Sequence, residues 1–328
     1  MRVALIHDVQ LPVEAYGGTE RVVWWLAKGL HQRGIEVTLV CKSGSSCPYA
    51  KVFYADFSKP GFSKPIEEQL DTIDIFHHFV SPVAEPTRPY LVTIGGNGKW
   101  EEYFLKNTVF VSQNHALRHG SKSFAYNGID PDDYFYSEKK SSALLFLAKA
   151  SWNVKNVKGA ISIARRSKRE LNIIGGRRWL LNSWRGIHWR GLLGGAEKAK
   201  CIADSSALLF PVLWDEPFGL AVVESLMSGT PVLASSRGSL PELISPEVGR
   251  ICYTEDEFID AVQSISSVKS TRCREWAMDR FHYLIMTDCY LKKYEKILNG
   301  ETLNDEPPTR VGKDSHMSLQ SVQPPLHV

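Results

Sequence analysis

A chain of 328 residues is long for a single hydrophobic core and comfortable for two domains of about 150 residues each. With 43% hydrophobic and 23% charged residues it has the composition of an ordinary soluble globular protein, and no run approaches the roughly 18 apolar residues of a membrane-spanning helix. The net charge of +3 conceals an asymmetry, because residues 138–200 hold 15 Lys and Arg against 3 Asp and Glu. A field of that sign attracts polyanions: a nucleotide diphosphate, an anionic lipid surface or nucleic acid. Arg165, Arg166, Lys168 and Arg169 read first as a solvated helix face. Six cysteines, Cys41, Cys47, Cys201, Cys252, Cys273 and Cys289, lie scattered without a Cys-x-x-Cys pair or zinc-type histidine spacing. This fits a reducing, cytoplasmic setting and implies no metal site.

In chain order, the opening run from Arg2 to Asp8 is too short for an export signal and is ended by an acid, so it reads as a buried strand, Val3 to His7. A loop with Gly17-Gly18 follows, then a helix from about Thr19 to Gln32 with Val22, Val23, Leu26, Ala27 and Leu30 on one face. Gly34 closes it, and Glu36 to Cys41 forms the next strand. This β-α-β unit predicts a parallel sheet. Further strands are expected at Ile73 to Phe76, Tyr90 to Ile94 and Thr108 to Ser112, with a helix-competent stretch near Lys99 to Lys106. Pro131 and the polar run from Ser137 to Ser142 mark a linker, which gives an N-terminal domain of residues 1–137.

The second half, residues 138–300, repeats the alternation. Strands are expected at Ala143 to Leu147, Leu171 to Ile174, Ile187 to Gly191, Ala207 to Pro211 and Pro231 to Ser235. Helices are expected through Ala160 to Ala164, at Ala196 to Ala203, at Leu220 to Met227, and in one long run from Thr271 to Leu298. The segment from Arg177 to Gly195, with Trp179, Trp184 and Trp189, suits stacking on bases or dipping into a membrane surface, but reads better as structure. Residues 301–328, with four prolines among polar neighbours, read as a disordered tail.

The stretch Trp214 to Pro231, WDEPFGLAVVESLMSGTP, carries the chemistry. Glu216 lies in a loop, since Pro217 disfavours helix at the residue before it, and Gly219 lets backbone amides approach a ligand. The first turn of the helix that follows offers free donors to a polyhydroxylated or anionic ligand. Glu224, within that helix, is an acceptor-only group suited to gripping vicinal hydroxyls such as those of a ribose. A Gly17-Gly18 turn between strand and helix suits close passage by a phosphate.

Two acids spaced in this way around Pro217-Phe218-Gly219, with Ser228-Gly229-Thr230-Pro231-Val232 behind them, resemble the donor-sugar motif of retaining GT-B glycosyltransferases of the GT4 family. Gly17 to Val23 (GGTERVV), Asn127 to Asp130 and the Gly238 to Glu242 turn resemble further motifs of that family, so the likeness covers about residues 1–298. It implies an α/β protein of the GT-B fold: two Rossmann-like, doubly wound domains facing across a cleft, with a final helix crossing back to the first. The implied donor site comprises Glu216 and the amides through Pro217, Phe218, Gly219 and Leu220 for the sugar, Glu224 for the ribose, and Lys155 and Lys149 for the diphosphate. Gly17 and Gly18 would stand beside the phosphates and the acceptor. Lys149 stands where relatives carry arginine, and lysine loses the bidentate fork.

Gly95 stands where many relatives place a histidine, so either Asn97, His77 or His78 serves on the acceptor or sugar side or turnover is weak. His77 and His78 also read simply as strand-end residues. The implied activity is retaining, metal-independent transfer from a nucleotide-sugar, with UDP- or GDP-sugars foremost, to a hydroxyl on a saccharide, lipid-linked glycan or small molecule. Glu216, Lys155 and Gly18 would be catalytic, with no further cofactor. A sugar-nucleotide epimerase and a non-catalytic sugar-nucleotide-binding relative are the alternatives. No nucleic-acid module is recognisable. Contact with an anionic membrane surface would be peripheral.

Overall fold

The computed structural model describes the chain apart from residues 14–16, 59–60, 83, 99–101, 103, 177–182 and 311–328 and the side chains of residues 183 and 184. Two compact units emerge. The first comprises Met1–Val13, Gly17–Ile129 and residues 281–310, and the second runs from Asp130 to Arg280. The change of unit falls at Ile129 and Asp130. The polar run from Ser137 to Ser142, read as a linker, therefore lies inside the second unit.

The first unit contains β1 (Arg2–Ile6), α1 (Thr19–Gln32), β2 (Glu36–Cys41), β3 (Lys51–Tyr54), α2 (Ser63–Gln69), β4 (Ile75–His78), β5 (Tyr90–Ile94), β6 (Thr108–Phe110) and α3 (Gln113–Leu117). Its sheet is wholly parallel in the order β3-β2-β1-β4-β5-β6, the doubly wound pattern. Val3, Ala4, Leu5 and Ile6 are all fully buried, as a central parallel strand covered on both faces requires. The expected apolar face of α1 is buried, with Trp25 added to it.

The second unit contains β7 (Leu144–Leu147), α4 (Val157–Arg166), β8 (Leu171–Ile174), β9 (Ser183–Trp184), β10 (Ile187–Gly191), α5 (Gly195–Asp204), β11 (Ala207–Phe210), α6 (Leu220–Met227), β12 (Val232–Ser235), α7 (Leu240–Leu243), β13 (Gly249–Cys252), α8 (Glu255–Ser264) and α9 (Ser270–Phe281). The order is β13-β12-β11-β7-β8-β10-β9, parallel except for the terminal β9. Leu144, Phe146, Ile173, Leu209 and Leu233 join Ala160, Ile163 and Phe258 in its core.

Three expectations are corrected. The long C-terminal helix is two, α9 and α10 (Tyr283–Leu298), because His282 is extended (φ −67°, ψ 137°) and bridges Ile129. There Ile129 N–H donates to Phe281 O at 2.8 Å and Tyr283 N–H to Ile129 O at 3.1 Å. α10 then packs within the first unit, where Gly29 of α1 permits close approach: a β-carbon there would lie 2.0 Å from Thr287 Oγ1. No helix forms among the described residues of the 99–106 stretch. Phe104 and Leu105 are instead buried against Phe110.

The third correction concerns the tail, of which residues 301–310 are ordered against β6. Asn304 Nδ2 donates to Lys106 O at 2.7 Å and Thr108 O at 2.9 Å, its Oδ1 accepts from Ser121, and Thr309 N–H donates to His119 O at 3.0 Å. Composition predicts disorder here because it cannot register one side chain satisfying three backbone and hydroxyl groups. Residues 311–328 lie outside the described residues, as do Trp179 and much of the Trp- and Arg-rich segment. Among the described residues no helix is long and apolar enough to cross a membrane.

Candidate functional site

Ligands of open α/β sheets gather beyond the carboxyl ends of the strands, and in the second unit the chain past β11 supplies the expected loop. Its shape is set from beneath by the Gly238 to Glu242 turn. Gly238 has φ +60°, and a β-carbon there would lie 2.3 Å from Glu216 O and 2.4 Å from Glu216 N. Only glycine lets the two backbones pass. Ser239 N–H then donates to Glu216 O at 2.9 Å and Ser239 Oγ to Phe218 O at 2.7 Å, so the turn clamps both ends of the Glu216-Pro217-Phe218 peptide. Gly219, at φ +94°, caps α6 in a left-handed conformation that a β-carbon would strain. Pro217, Phe218 and Gly219 are buried and Leu220 is half-buried.

The Glu216 carboxylate is held on one oxygen by two donors: Lys155 Nζ and Trp214 Nε1 each lie 2.6 Å from Oε2. The ion pair is enclosed, with side chains 11% and 9% exposed, and the ammonium sits over the Trp214 ring at 4.6 Å. Sequence separates these partners by 61 positions, but β7 and β11 are neighbours and bring their following loops together. Two further bonds fix that approach. Leu213 N–H donates to Val154 O at 2.8 Å and Asn156 Nδ2 to Pro211 O at 2.9 Å, while Asn156 Oδ1 caps α4 by accepting from Gly159 N–H.

Glu224 lies one turn into α6 and is buried. Lys198 of α5 reaches both of its oxygens at 3.2 Å, with side chains 12% and 3% exposed. Lys198 is a site residue that sequence reasoning missed. Its pattern signal is slight: it precedes the buried Ala199, and nothing local ties it to Glu224. Trp214, whose N–H holds Glu216, likewise has no role that the sequence alone assigns. The expected Lys149 does not join Glu216. Its ammonium lies over the Trp152 ring at 4.8 Å, and Trp152 meets Trp214 edge-on at 6.1 Å.

Much of the basic segment has internal work. Arg166 pairs with Glu255 and Asp256, Arg169 donates to Ser142 O, and Lys140 Nζ donates to Ala203 O and Thr230 Oγ1.

In the first unit, Gly17 and Gly18 stand at the start of α1. A β-carbon on Gly17 would meet Val13 Cγ2 at 2.9 Å and Glu20 Oε2 at 3.0 Å, and Gly18 caps the helix without a side chain. Gly95 faces the same helix start, since a β-carbon there would meet Thr19 Oγ1 at 3.2 Å. Asn97 Oδ1 accepts from Arg118 at 3.0 Å. His77 is committed on both sides, with Nδ1 2.7 Å from Tyr294 OH and Nε2 2.7 Å from Thr93 Oγ1. Burial, together with neighbouring His78, holds its pKa well below the usual imidazole value. His78 ends β4 fully buried, and burial lowers its pKa to about 3, so it too stays neutral.

Two doubly wound units of this topology are those of the GT-B glycosyltransferase fold. AviGT4, a glycosyltransferase involved in avilamycin A biosynthesis, matches with a TM-score of 0.74 at 22% identity, over 92% of this chain and 99% of that one. Anabaena HepE in complex with UDP matches with a TM-score of 0.66 at 14% identity, over 90% and 100%. Residues 141–267 match the family described as Glycosyl transferases group 1.

Among curated proteins, the MMP alpha-(1->4)-mannosyltransferase of Mycolicibacterium hassiacum is 38% identical over 61 residues, 19% of this chain and 15% of that protein. An uncharacterized 41.2 kDa protein of the Klebsiella pneumoniae cps region is 28% identical over 116 residues, 33% of this chain and 32% of that protein. The aligned region thus spans about a third or less of each of these relatives.

Proposed function

We propose that this protein is a GT4-type glycosyltransferase that moves a hexosyl or related sugar from a nucleotide-sugar, with retention and without a metal ion, to a hydroxyl acceptor. The observation that carries the reading is the pair of enclosed lysine–glutamate contacts, Lys155–Glu216 and Lys198–Glu224, beyond the carboxyl end of the second sheet. Each couples a cation suited to phosphate with a carboxylate suited to sugar hydroxyls. An incoming donor brings both complements at once: its diphosphate takes the charge of Lys155, with Lys149 in reach of the same loop, and its hydroxyls take Glu216 and Glu224.

The lysines supply the charge that a metal would otherwise contribute. In the reaction the acceptor oxygen forms a bond to the anomeric carbon on the face from which the diphosphate departs. The anomeric carbon–oxygen bond breaks, and the acceptor proton passes to the leaving phosphate oxygen. No paired carboxylates are needed for that proton balance. The amides at the start of α1, beside Gly17 and Gly18, suit a phosphate or hydroxyl oxygen. Uridine is the favoured base, supported by the HepE complexes with UDP and UDP-glucose. The acceptor class is a saccharide, lipid-linked glycan or small alcohol. The free thiols support work in a reducing, cytoplasmic compartment, with at most peripheral membrane contact.

Titration calorimetry in EDTA with UDP, GDP, ADP, CDP and TDP and their sugar conjugates tests this reading. One base should bind, and Lys155→Gln should weaken that diphosphate about 10- to 150-fold, the worth of a hydrogen bond to a charged group. Absence of binding by every nucleotide refutes the reading. Binding without transfer to any acceptor would replace it with a sugar-nucleotide-binding protein.

A further inference from the structure

We propose that Trp152, backed by Trp214, is the wall on which the sugar ring of the donor stacks, and that it selects a pyranose with an apolar C–H face. The inference rests on the proposed donor site and names a residue that the site's motifs do not contain.

Trp152 is 44% exposed, an unusual position for the largest apolar side chain. Its exposure is not that of a loose loop. Ala150 N–H donates to Gly175 O at 2.9 Å, Trp152 N–H to Lys149 O at 3.0 Å and Lys155 N–H to Trp152 O at 2.9 Å, so the backbone on either side is pinned. A β-carbon on Gly175, at φ +107°, would lie 2.1 Å from Ala148 O, so the floor of the loop is also close-packed. Among the described tryptophans Trp152 alone is exposed, while Trp25 is buried and Trp24, Trp189, Trp214 and Trp276 are half-buried.

Its location supplies the ligand. The ring stands edge-on to Trp214 with an interplanar angle of 79°, and the Trp214 N–H is bonded to the Glu216 carboxylate. A flat aromatic face thus lies one side chain away from an acceptor-only group. A pyranose is built from the same two elements: hydroxyls around its rim and C–H bonds on its faces. With its rim hydroxyls on Glu216, a sugar ring can lay its polarised C–H face on the electron-rich indole. The ammonium of Lys149 already exploits that electron density, at 4.8 Å from the ring. An extended or acyclic substituent offers no such face.

The test compares bare nucleoside diphosphates, UDP and GDP, with UDP-glucose and GDP-mannose on wild type, Trp152→Ala and Trp152→Phe. Affinity is read by calorimetry and by tryptophan emission. In wild type the conjugate should bind more tightly than the bare diphosphate. Trp152→Ala should lose about 10-fold of that sugar increment, taken within each variant as the ratio of conjugate to bare-diphosphate affinity so that any change at Lys149 cancels, within the range for an aromatic contact in a binding site. Trp152→Phe should retain most of the increment, and the conjugate-specific emission change should vanish in Trp152→Ala. An increment that survives in Trp152→Ala overturns the stacking role and leaves the donor site standing. Failure of both diphosphates to bind wild type overturns the donor site and the stacking role together.

Discussion

Replacing Glu224 by alanine strips the carboxylate from Lys198, whose ammonium lies 3.2 Å from each of its oxygens in an enclosed contact. At that distance and an effective dielectric of about 20 the attraction is about 5 kcal/mol. Removing one member of a buried pair costs about 3–5 kcal/mol, because the other charge stays buried. For a domain of this size, 3 kcal/mol corresponds to roughly 6–12 °C in Tm. The same substitution should weaken nucleotide binding about 10- to 150-fold, the worth of a hydrogen bond from a ribose hydroxyl to a charged acceptor.

Stability and binding are separated by the double substitution Glu224→Ala/Lys198→Met, in which no buried charge is left alone. Urea unfolding of the double variant should recover most of the lost stability, whereas calorimetry should still show weak nucleotide binding. A double variant that regains both stability and wild-type affinity would show that Glu224 serves only to neutralise Lys198, and the ribose role would be wrong.

Gly238→Ala places a β-carbon 2.3 Å from Glu216 O at a left-handed backbone position, so it should cost about 1–3 kcal/mol and displace Glu216 from Lys155. The urea midpoint and nucleotide affinity should fall together, and a variant unchanged in both would sink the clamp. Acid should weaken the first unit, because His7, His77, His78, His115 and His119 are buried there with pKa values lowered chiefly by burial. The unfolded chain takes up these protons first. Their stabilising contribution is therefore complete above about pH 6.5 and falls as pH drops toward about 3, where His78 titrates in the folded state. His78 alone should contribute about 1.4 kcal/mol per pH unit in that window. Urea unfolding at pH 7.5 and 5.5 measures it, and His78→Leu should flatten the slope; a slope equal to that of wild type would contradict the assignment.

The legible parts of the fold are those whose signal is local. α1 follows from apolar residues at helical spacing and Gly34 at its end, and β2 and β5 from short apolar runs bounded by turns. β3 escaped because Lys51–Tyr54 is an edge strand with no buried residue, and α2 because Ser63–Gln69 buries Ile66 as its one large apolar side chain. The break at His282 is invisible in sequence because a distant residue, Ile129, supplies the hydrogen bonds that compensate for the lost helical ones. The same holds for Asn304 in the tail. In the site, the motif carried Glu216 and Glu224, and the resemblance to the GT4 family carried Lys155. Lys198 belongs to a different helix, and only the packing of α5 beside α6 brings it to Glu224.

That packing has a consequence for how the donor would bind. A cation kept ready for a diphosphate in an enclosed site is costly while the site is empty, since an unpartnered buried charge loses several kcal/mol of solvation. Lys155 meets this cost by resting on Glu216, and Lys198 by resting on Glu224. A bare phosphate that drew Lys155 away would leave Glu216 with the Trp214 N–H and no cation. A bare sugar that engaged Glu216 would leave Lys155 competing for the same oxygen. The intact nucleotide-sugar supplies phosphate to the lysine and hydroxyls to the glutamate in one event, so under the proposed function the two halves of the donor bind cooperatively. The affinity of the whole should therefore exceed what its separate parts predict, and Lys155→Gln should weaken recognition of the sugar as well as of the diphosphate.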